Sequence, residues 1–273
     1  MPSLNPLASW WSRLRGTTSL TPPDWIVQVP THTALTRAVM DEEQGPHVAY
    51  CARRRTPAGD AYIDRLSYYQ HFCEDSSFLP RIIRHQEANP HLKLVPYIDH
   101  GTTEIQFVTS GWQQPQKNGS VGAASFAGVL RQFLPPGPGR REAVSGLVQD
   151  WQEIANASGR DVVDFILRAN PSATFGRDKF HLDEVPHVVL TYLTDNRSTM
   201  HAKPDTWHHK QLQRTKTGSS YLPTLTREVR ENMASTPSRM SAAWRGSHKK
   251  RQNLHMIRPP GPRDKIICIG SFD

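Results

Sequence analysis

Apolar residues along this chain recur with a period of two in some stretches and near 3.6 in others, and the switches mark its elements. Trp25-Ile26-Val27-Gln28-Val29 alternates as a strand does and stops at Pro30. Residues 31–60 are polar and broken. Tyr62 to Phe72 puts Tyr62, Ile63, Leu66 and Tyr69 on one side of a helix, and Phe78 to Gln86 reads as a second short helix ending near Asn89-Pro90. Leu92 to Ile98 and Thr103 to Val108 read as two strands joined by the turn residues Asp99-His100-Gly101-Thr102, a β-hairpin whose Pro96 suits an edge or bulge.

The helical period then returns. Ser120 to Leu134 carries Val121, Ala124, Phe126, Val129, Leu130 and Phe133, and the Pro135–Gly139 run breaks it. Arg140 to Asn156 is amphipathic, with Val144, Leu147, Trp151 and Ile154 at i, i+3, i+4 spacing. Arg160 to Ala169 reads as a further short helix. Pro186 to Thr194 reads as a buried strand, Leu222 to Met233 as a helix, and Lys265 to Gly270 as a last strand. Helices grouped between antiparallel strands predict an α+β fold, an antiparallel sheet with helices packed on it.

Charge divides the chain. Arg197 to Arg263 holds fourteen Lys/Arg against three Asp/Glu, a balance of +11, whereas the whole chain is +8 and the remainder −3. The expected organisation is a leader over 1–23, an α+β domain over 24–196 and a basic C-terminal region over 197–273. A polycation on a near-neutral body points to a polyanionic partner, nucleic acid first. Lys210, Arg214, Lys216, Trp244, Arg245, Lys249, Lys250 and Arg251 interleave cations with aromatics, which suits phosphate contact with base stacking. A solvated tail without a partner is the alternative. Lys249 to Arg251 also suits a short nuclear-localisation signal.

Mean hydropathy is −0.59 and hydrophobic residues are 37%, lean for a fully compact chain of this length. Three cysteines without CxxC spacing argue against a cysteine-rich zinc site and a disulfide scaffold, and suit a reducing compartment. No apolar run approaches the roughly 20 residues of a membrane span. The N-terminus has no acidic residue before Asp24 and also suits a transit peptide, which would send the protein to a mitochondrion.

Glu104-Ile105-Gln106 is the first candidate for chemistry. On a strand Glu104 and Gln106 share a face, where two polar groups can hold a metal ion or phosphate, or can simply be solvated. Trp25 to Pro30, the 92–108 hairpin, Leu130-Arg131-Gln132-Phe133 and Leu182-Asp183-Glu184-Val185 together resemble the replication-initiator (Rep) nuclease domain of parvoviruses, one of the HUH endonucleases. Rep-like reading frames of avian adenoviruses are a further resemblance. The family's motif is His-hydrophobic-His, or His-hydrophobic-Gln in circular-DNA virus relatives. The resemblance implies an HUH-type sheet, a Mg²⁺ or Mn²⁺ ion held by Glu104 and Gln106, and a tyrosine nucleophile, for which Tyr192 is the nearest.

Three departures accompany it. Glu104 stands where the family has histidine, Val185-Pro186-His187 stands where its tyrosine would follow the acidic pair, and no GxxxxGK[ST] loop follows for a helicase. The resemblance therefore implies a DNA-binding viral accessory protein of the host nucleus, with DNA favoured over RNA and weak or no nicking.

Trp207-His208-His209 is similar to the start of some HNH-type nucleases, where one histidine binds metal and its neighbour acts as base. His208 and His209 are thus an alternative metal and base pair for an active metal-dependent endonuclease. A structural RNA-binding or ribosome-associated protein is a third reading.

Overall fold

In the computed structural model the described residues are 23–66, 93–99, 102–108, 126–159 except 129 and 133, 164–169, 179–193 except 184, 199–214, 220–246, 252–257 and 266–272, with a few single positions between 80 and 88. The first strand, β1 (Ile26–Gln28), falls where alternation predicts it. Residues 31–60 are far from irregular. They form α1 (His32–Met40), β2 (Val48–Ala52) and the start of α2 (Pro57–Leu66). Thr31 caps α1 by accepting from the amide of Ala34 at 3.1 Å, which satisfies one of the helix's unpaired donors.

The predicted hairpin is β3 (Lys93–Asp99) and β4 (Thr102–Val108), paired from Lys93↔Val108 to Asp99↔Thr102. The strongest amphipathic pattern becomes α3 (Arg140–Ser158). Gly139 enters it at φ 82, and a Cβ there would stand 2.0 Å from the carbonyl oxygen of Ala58, so only glycine fits.

The segment expected as a helix over 160–169 is instead β5 (Asp164–Ala169), flanked on both sides by other strands. A short apolar run is ambiguous by period, and a strand paired on both edges satisfies its backbone more completely than an isolated turn of helix. Then come β6 (His181–Leu182), β7 (His187–Tyr192) and β8 (Thr199–Ala202). They are followed by β9 (Gln213–Arg214), β10 (Ser220–Tyr221), α4 (Arg227–Glu231) and β11 (Met233–Ser235). The last strands are β12 (Met240–Arg245), β13 (His255–Ile257) and β14 (Ile266–Phe272).

These strands build an eight-stranded sheet, ordered β1-β2-β12-β7-β14-β5-β4-β3, and a six-stranded sheet, ordered β11-β8-β13-β6-β10-β9. Among the described residues all pairings are antiparallel except that of β1 with β2. The α+β expectation holds, with antiparallel strands and helices packed on them. The expected boundary at 197 does not appear as a break in the fold. Strand β12 lies between β2 and β7, and β14 between β7 and β5, so the C-terminal region supplies interior strands.

Alternation sorts the large sheet's side chains into two cores. Ala49, Cys51, Val189 and Ala243 pack with Leu35, Val39, Leu147 and Trp151 of the helical layer. Val48, Tyr50, Val188, Leu190, Ala242 and Trp244 form the opposite face. A third cluster, including Leu182, Met200, Leu222, Val229 and Met256, fills one side of the small sheet. The two sheets touch where the Tyr192 hydroxyl bonds that of Thr199 and where Trp244 reaches the small sheet's histidines.

Helices α1 and α3 are fixed to the large sheet by a buried polar chain. The His32 Nε2 lies 2.9 Å from Ser241 Oγ, which lies 3.1 Å from Thr191 Oγ1, and His32 Nδ1 lies 3.4 Å from Asp150 Oδ1. Asp150 also accepts the Arg54 amide at 3.0 Å. Burial lowers His32 to about 4, an effect that Arg54 and Arg53 reinforce and Glu153 opposes. Burial raises Asp150 to about 6 against the pull of Arg54. At neutral pH the contact is therefore a neutral ring against a carboxylate anchored by Arg54, not an ion pair.

Candidate metal centre

Strands β8, β13 and β6 are consecutive in the small sheet, and their register aligns His201, His255 and His181. His255 pairs with His201 on one side and with His181 on the other. Directly paired residues of antiparallel neighbours project to the same face. The rings follow suit, 6.0 Å between His201 and His255 and 4.6 Å between His255 and His181. The row continues to Tyr221, which pairs with His181 and carries the Lys179 ammonium 5.1 Å over its ring.

Asp183 follows His181 by two residues, just past the end of β6. Its carboxylate lies 3.9 Å from His181 Nε2 and 3.3 Å from His255 Nε2. Among the described residues, His181, Asp183 and His255 are the one group whose ligand atoms converge, all within 4.8 Å of one another. His255 is 2% exposed, while His181 and Asp183 are 20% and 26% exposed, so the group has a buried side and an open side.

Each imidazole is oriented by its other nitrogen. His181 Nδ1 is 2.9 Å from the Lys179 carbonyl oxygen, and His255 Nδ1 is 3.3 Å from that of Asn253. A carbonyl only accepts, so each Nδ1 carries the hydrogen and each Nε2 keeps its lone pair. The two Nε2 atoms are the ones nearest Asp183. Burial lowers His255 to about 4 despite the opposing charge of Asp183, which keeps the ring in its neutral, ligating form. His201 is lowered further, to about 3, again chiefly by burial. Its Nδ1 bonds Asn253 Oδ1 at 2.6 Å.

Two imidazoles and one carboxylate that leave coordination positions open match the donor set of non-haem Fe(II) oxygenases. The residues present therefore fit a divalent iron, with backbone carbonyls as the outer partners that metal-bound histidines characteristically have.

The residues singled out from sequence fall elsewhere. Glu104 and Gln106 lie on β4, paired with Arg168 and Ile166 of β5. Tyr192 is on β7, buried, with its hydroxyl bonded to Thr199. Strands β5 and β14 intervene between β4 and β7, a separation of three strand spacings or roughly 14 Å. A nucleophile there does not share a centre with Glu104 and Gln106. His208 and His209 are exposed in a short 3-10 turn, where His208 Nδ1 accepts from the Lys210 amide, and neither joins a metal-type group among the described residues.

Of the residues expected to contact nucleic acid, Trp244 and Arg245 are buried, and Arg245 donates to the Asp41 carbonyl. Lys210 and Arg214 are exposed. Lys216, Lys249, Lys250 and Arg251 lie outside the described residues, as do positions 1–22 of the expected leader, 67–72 of the helix expected over 62–72, most of the one expected over 78–86, and 120–125 of the one expected over 120–134.

No family model and no curated protein matches the chain. Solved structures similar to it include a Pseudomonas putida prolyl-4-hydroxylase, at 12% identity and TM-score 0.36 over 89% of this chain and 99% of that one. A C-terminally truncated Neurospora crassa protein in its apo form is similar at 10% identity and TM-score 0.40, over 94% and 100%. The Fe(II)/α-ketoglutarate-dependent dioxygenase TqaL is similar at 11% identity and TM-score 0.28, over 79% and 89%.

The Rep resemblance is corrected by the site itself: the converging ligands, two histidines and a carboxylate, lie on β13 and at the end of β6, where the resemblance implied a pair on β4. The viral DNA-binding role, the nuclease and RNA-binding alternatives and the Mg²⁺ or Mn²⁺ site go with it. His181, Asp183 and His255 go unrecognised in the sequence. Their signal is a His-x-Asp pair at a strand end, matched to a histidine far along the chain.

Proposed function

We propose that this protein is a non-haem Fe(II)-dependent oxygenase, with His181, Asp183 and His255 as the iron ligands. The observation that carries the reading is the convergence of two pre-oriented, lone-pair-bearing Nε2 atoms on one carboxylate. Iron in such a set supplies the redox chemistry of dioxygen activation. The protein's own part is to hold His255 neutral by burial, fix the tautomers of both rings through the Lys179 and Asn253 carbonyls, and wall the buried side of the site with Trp244. The exposed edges of His181 and Asp183 leave the side from which small molecules enter. A 2-oxoacid is the proposed co-substrate, and 2-oxoglutarate, the α-ketoglutarate on which TqaL depends, is the first to try.

Anaerobic titration of the metal-free protein with Fe(II) should give one site per chain, abolished in His181→Ala and in His255→Ala. With 2-oxoglutarate and air, the loaded protein should consume dioxygen and form succinate, and both variants should not. Wild-type protein that takes up no Fe(II), or variants that bind it as wild type does, would end this reading. Tight zinc binding with no dioxygen uptake in any loaded form would replace it with a zinc site.

A further inference from the structure

Trp244 stands on β12 of the large sheet yet makes its polar contact with the small sheet. Its Nε1 donates to Asp183 Oδ2 at 2.8 Å. Its ring lies 4.6 Å from that of His255 and 5.3 Å from that of His201, tilted at 50° and 69°. It is 2% exposed and belongs to the apolar face with Tyr50, Leu190 and Ala242. One side chain therefore touches two of the three candidate ligands. A buried indole N–H needs an acceptor, and the acceptor that this one has is the carboxylate of Asp183.

We infer that Trp244 is the positioning residue of the metal centre: its indole N–H holds the Asp183 carboxylate in the ligating orientation, and its ring fixes the plane of His255. This rests on the metal-centre reading above. A carboxylate two bonds beyond the backbone rotates about its terminal torsion with little resistance. A donor fixed on one oxygen removes that freedom and directs the group's remaining coordination capacity toward the two Nε2 atoms. The donor is itself immobile because β12 is paired on both edges, with β2 and with β7. The arrangement also couples the sheets, since the strand that carries the donor and the strands that carry the ligands belong to different ones.

The test uses the full chain and Co(II), whose ligand-field bands report coordination. Trp244→Phe keeps most of the ring and removes the N–H. It should weaken Co(II) binding about 10- to 100-fold, as loss of an outer-shell partner does, and should shift the bands. Leu190→Ala, in the same apolar cluster away from the carboxylate, should lower the unfolding midpoint and leave Co(II) affinity and bands as in wild type. In wild-type protein labelled with ¹⁵N-tryptophan, the indole resonance missing from Trp244→Phe should shift or broaden when Co(II) binds. Where the variant does not fold, the resonance is assigned instead through its nuclear Overhauser contacts with the His255 and His201 rings, and the readout still decides the matter.

Wild-type affinity and bands in Trp244→Phe, or an indole resonance indifferent to Co(II), would overturn the inference and leave the metal centre standing. An equal loss of affinity in Leu190→Ala would overturn it as well, reducing Trp244 to packing. Wild-type protein that binds no Co(II) would remove the centre and this inference together.

Discussion

At the scale of single residues, the site depends on a position with no side chain at all. Gly246 ends β12, and its amide donates to the Pro186 carbonyl at 2.9 Å. A Cβ there would lie 1.8 Å from the Val185 carbonyl oxygen and 2.8 Å from that of Asp183. Both are backbone atoms, so relief requires moving the segment that carries the carboxylate. Gly246→Ala should cost about 1–3 kcal/mol, the range for forced overpacking, and should weaken metal binding as well. Urea denaturation and Co(II) titration of the same sample check both effects. A stability loss with unchanged affinity would show that the segment yields without disturbing Asp183. The sequence displays His181-Leu182-Asp183, but three residues are a faint signal. Their partner His255 lies in a stretch whose basic charge suggests an unstructured region. Only the pairing of β6 with β13 joins them, and no local spacing encodes that pairing.

At the scale of elements, legibility follows the strength of the periodic signal. Helix α3 is readable because its pattern repeats over several turns and β1 because it alternates, while the β3–β4 hairpin, β7 and β14 are readable as short apolar runs bounded by turn or proline residues. Strand β5 is not, because Phe165, Ile166 and Leu167 fit either period and long-range pairing decides the outcome. Helix α1 escapes the pattern because His32 and Thr36 are polar yet buried.

The polar chain under α1 and α3 makes a pH prediction whose sign depends on which partner is altered. Asp150, raised to about 6 from an ordinary 3.8, favours the folded state fully below 3.8 and loses that contribution as pH rises through 6. His32, lowered to about 4 from 6.5, favours the folded state above 6.5 and loses that contribution as pH falls through 4. Their slopes oppose each other between about 4 and 6 in wild type. In Asp150→Asn the His32 slope stands alone, so acidification from 6.5 to 4 should lower the urea midpoint more steeply than in wild type. The opposite trend in Asp150→Asn would contradict the assignment of a neutral His32. Leu147→Ala, in the same helix but in the apolar cluster, should cost about 2–5 kcal/mol with little pH dependence.

At the scale of the whole molecule, the chain's later part and its middle are woven into the same sheets. The basic balance after Arg197 suggests a separate region, but arginines there serve the folded body: Arg245 is fully buried, and Arg239 pairs with Asp64. Removing residues 197–273 should therefore leave the rest unfolded, not trimmed. Without β12, β2 and β7 lose the strand between them, and without β14, β7 and β5 do. Circular dichroism and a urea titration of the shortened chain check this, and a cooperative transition would show instead that residues 24–196 fold alone.

Strand β12 also leaves no tolerance for misalignment. Its odd positions, Ser241, Ala243 and Arg245, address the helical layer, while Ala242 and Trp244 address the other side. A slip of one residue would exchange the two sets, presenting a guanidinium to the metal centre and an indole to the helix ends. Folding the strand in its proper frame and completing the centre are thus a single event. An extra residue inserted ahead of Ala242 would be felt at once by the structure and by its capacity to hold a metal.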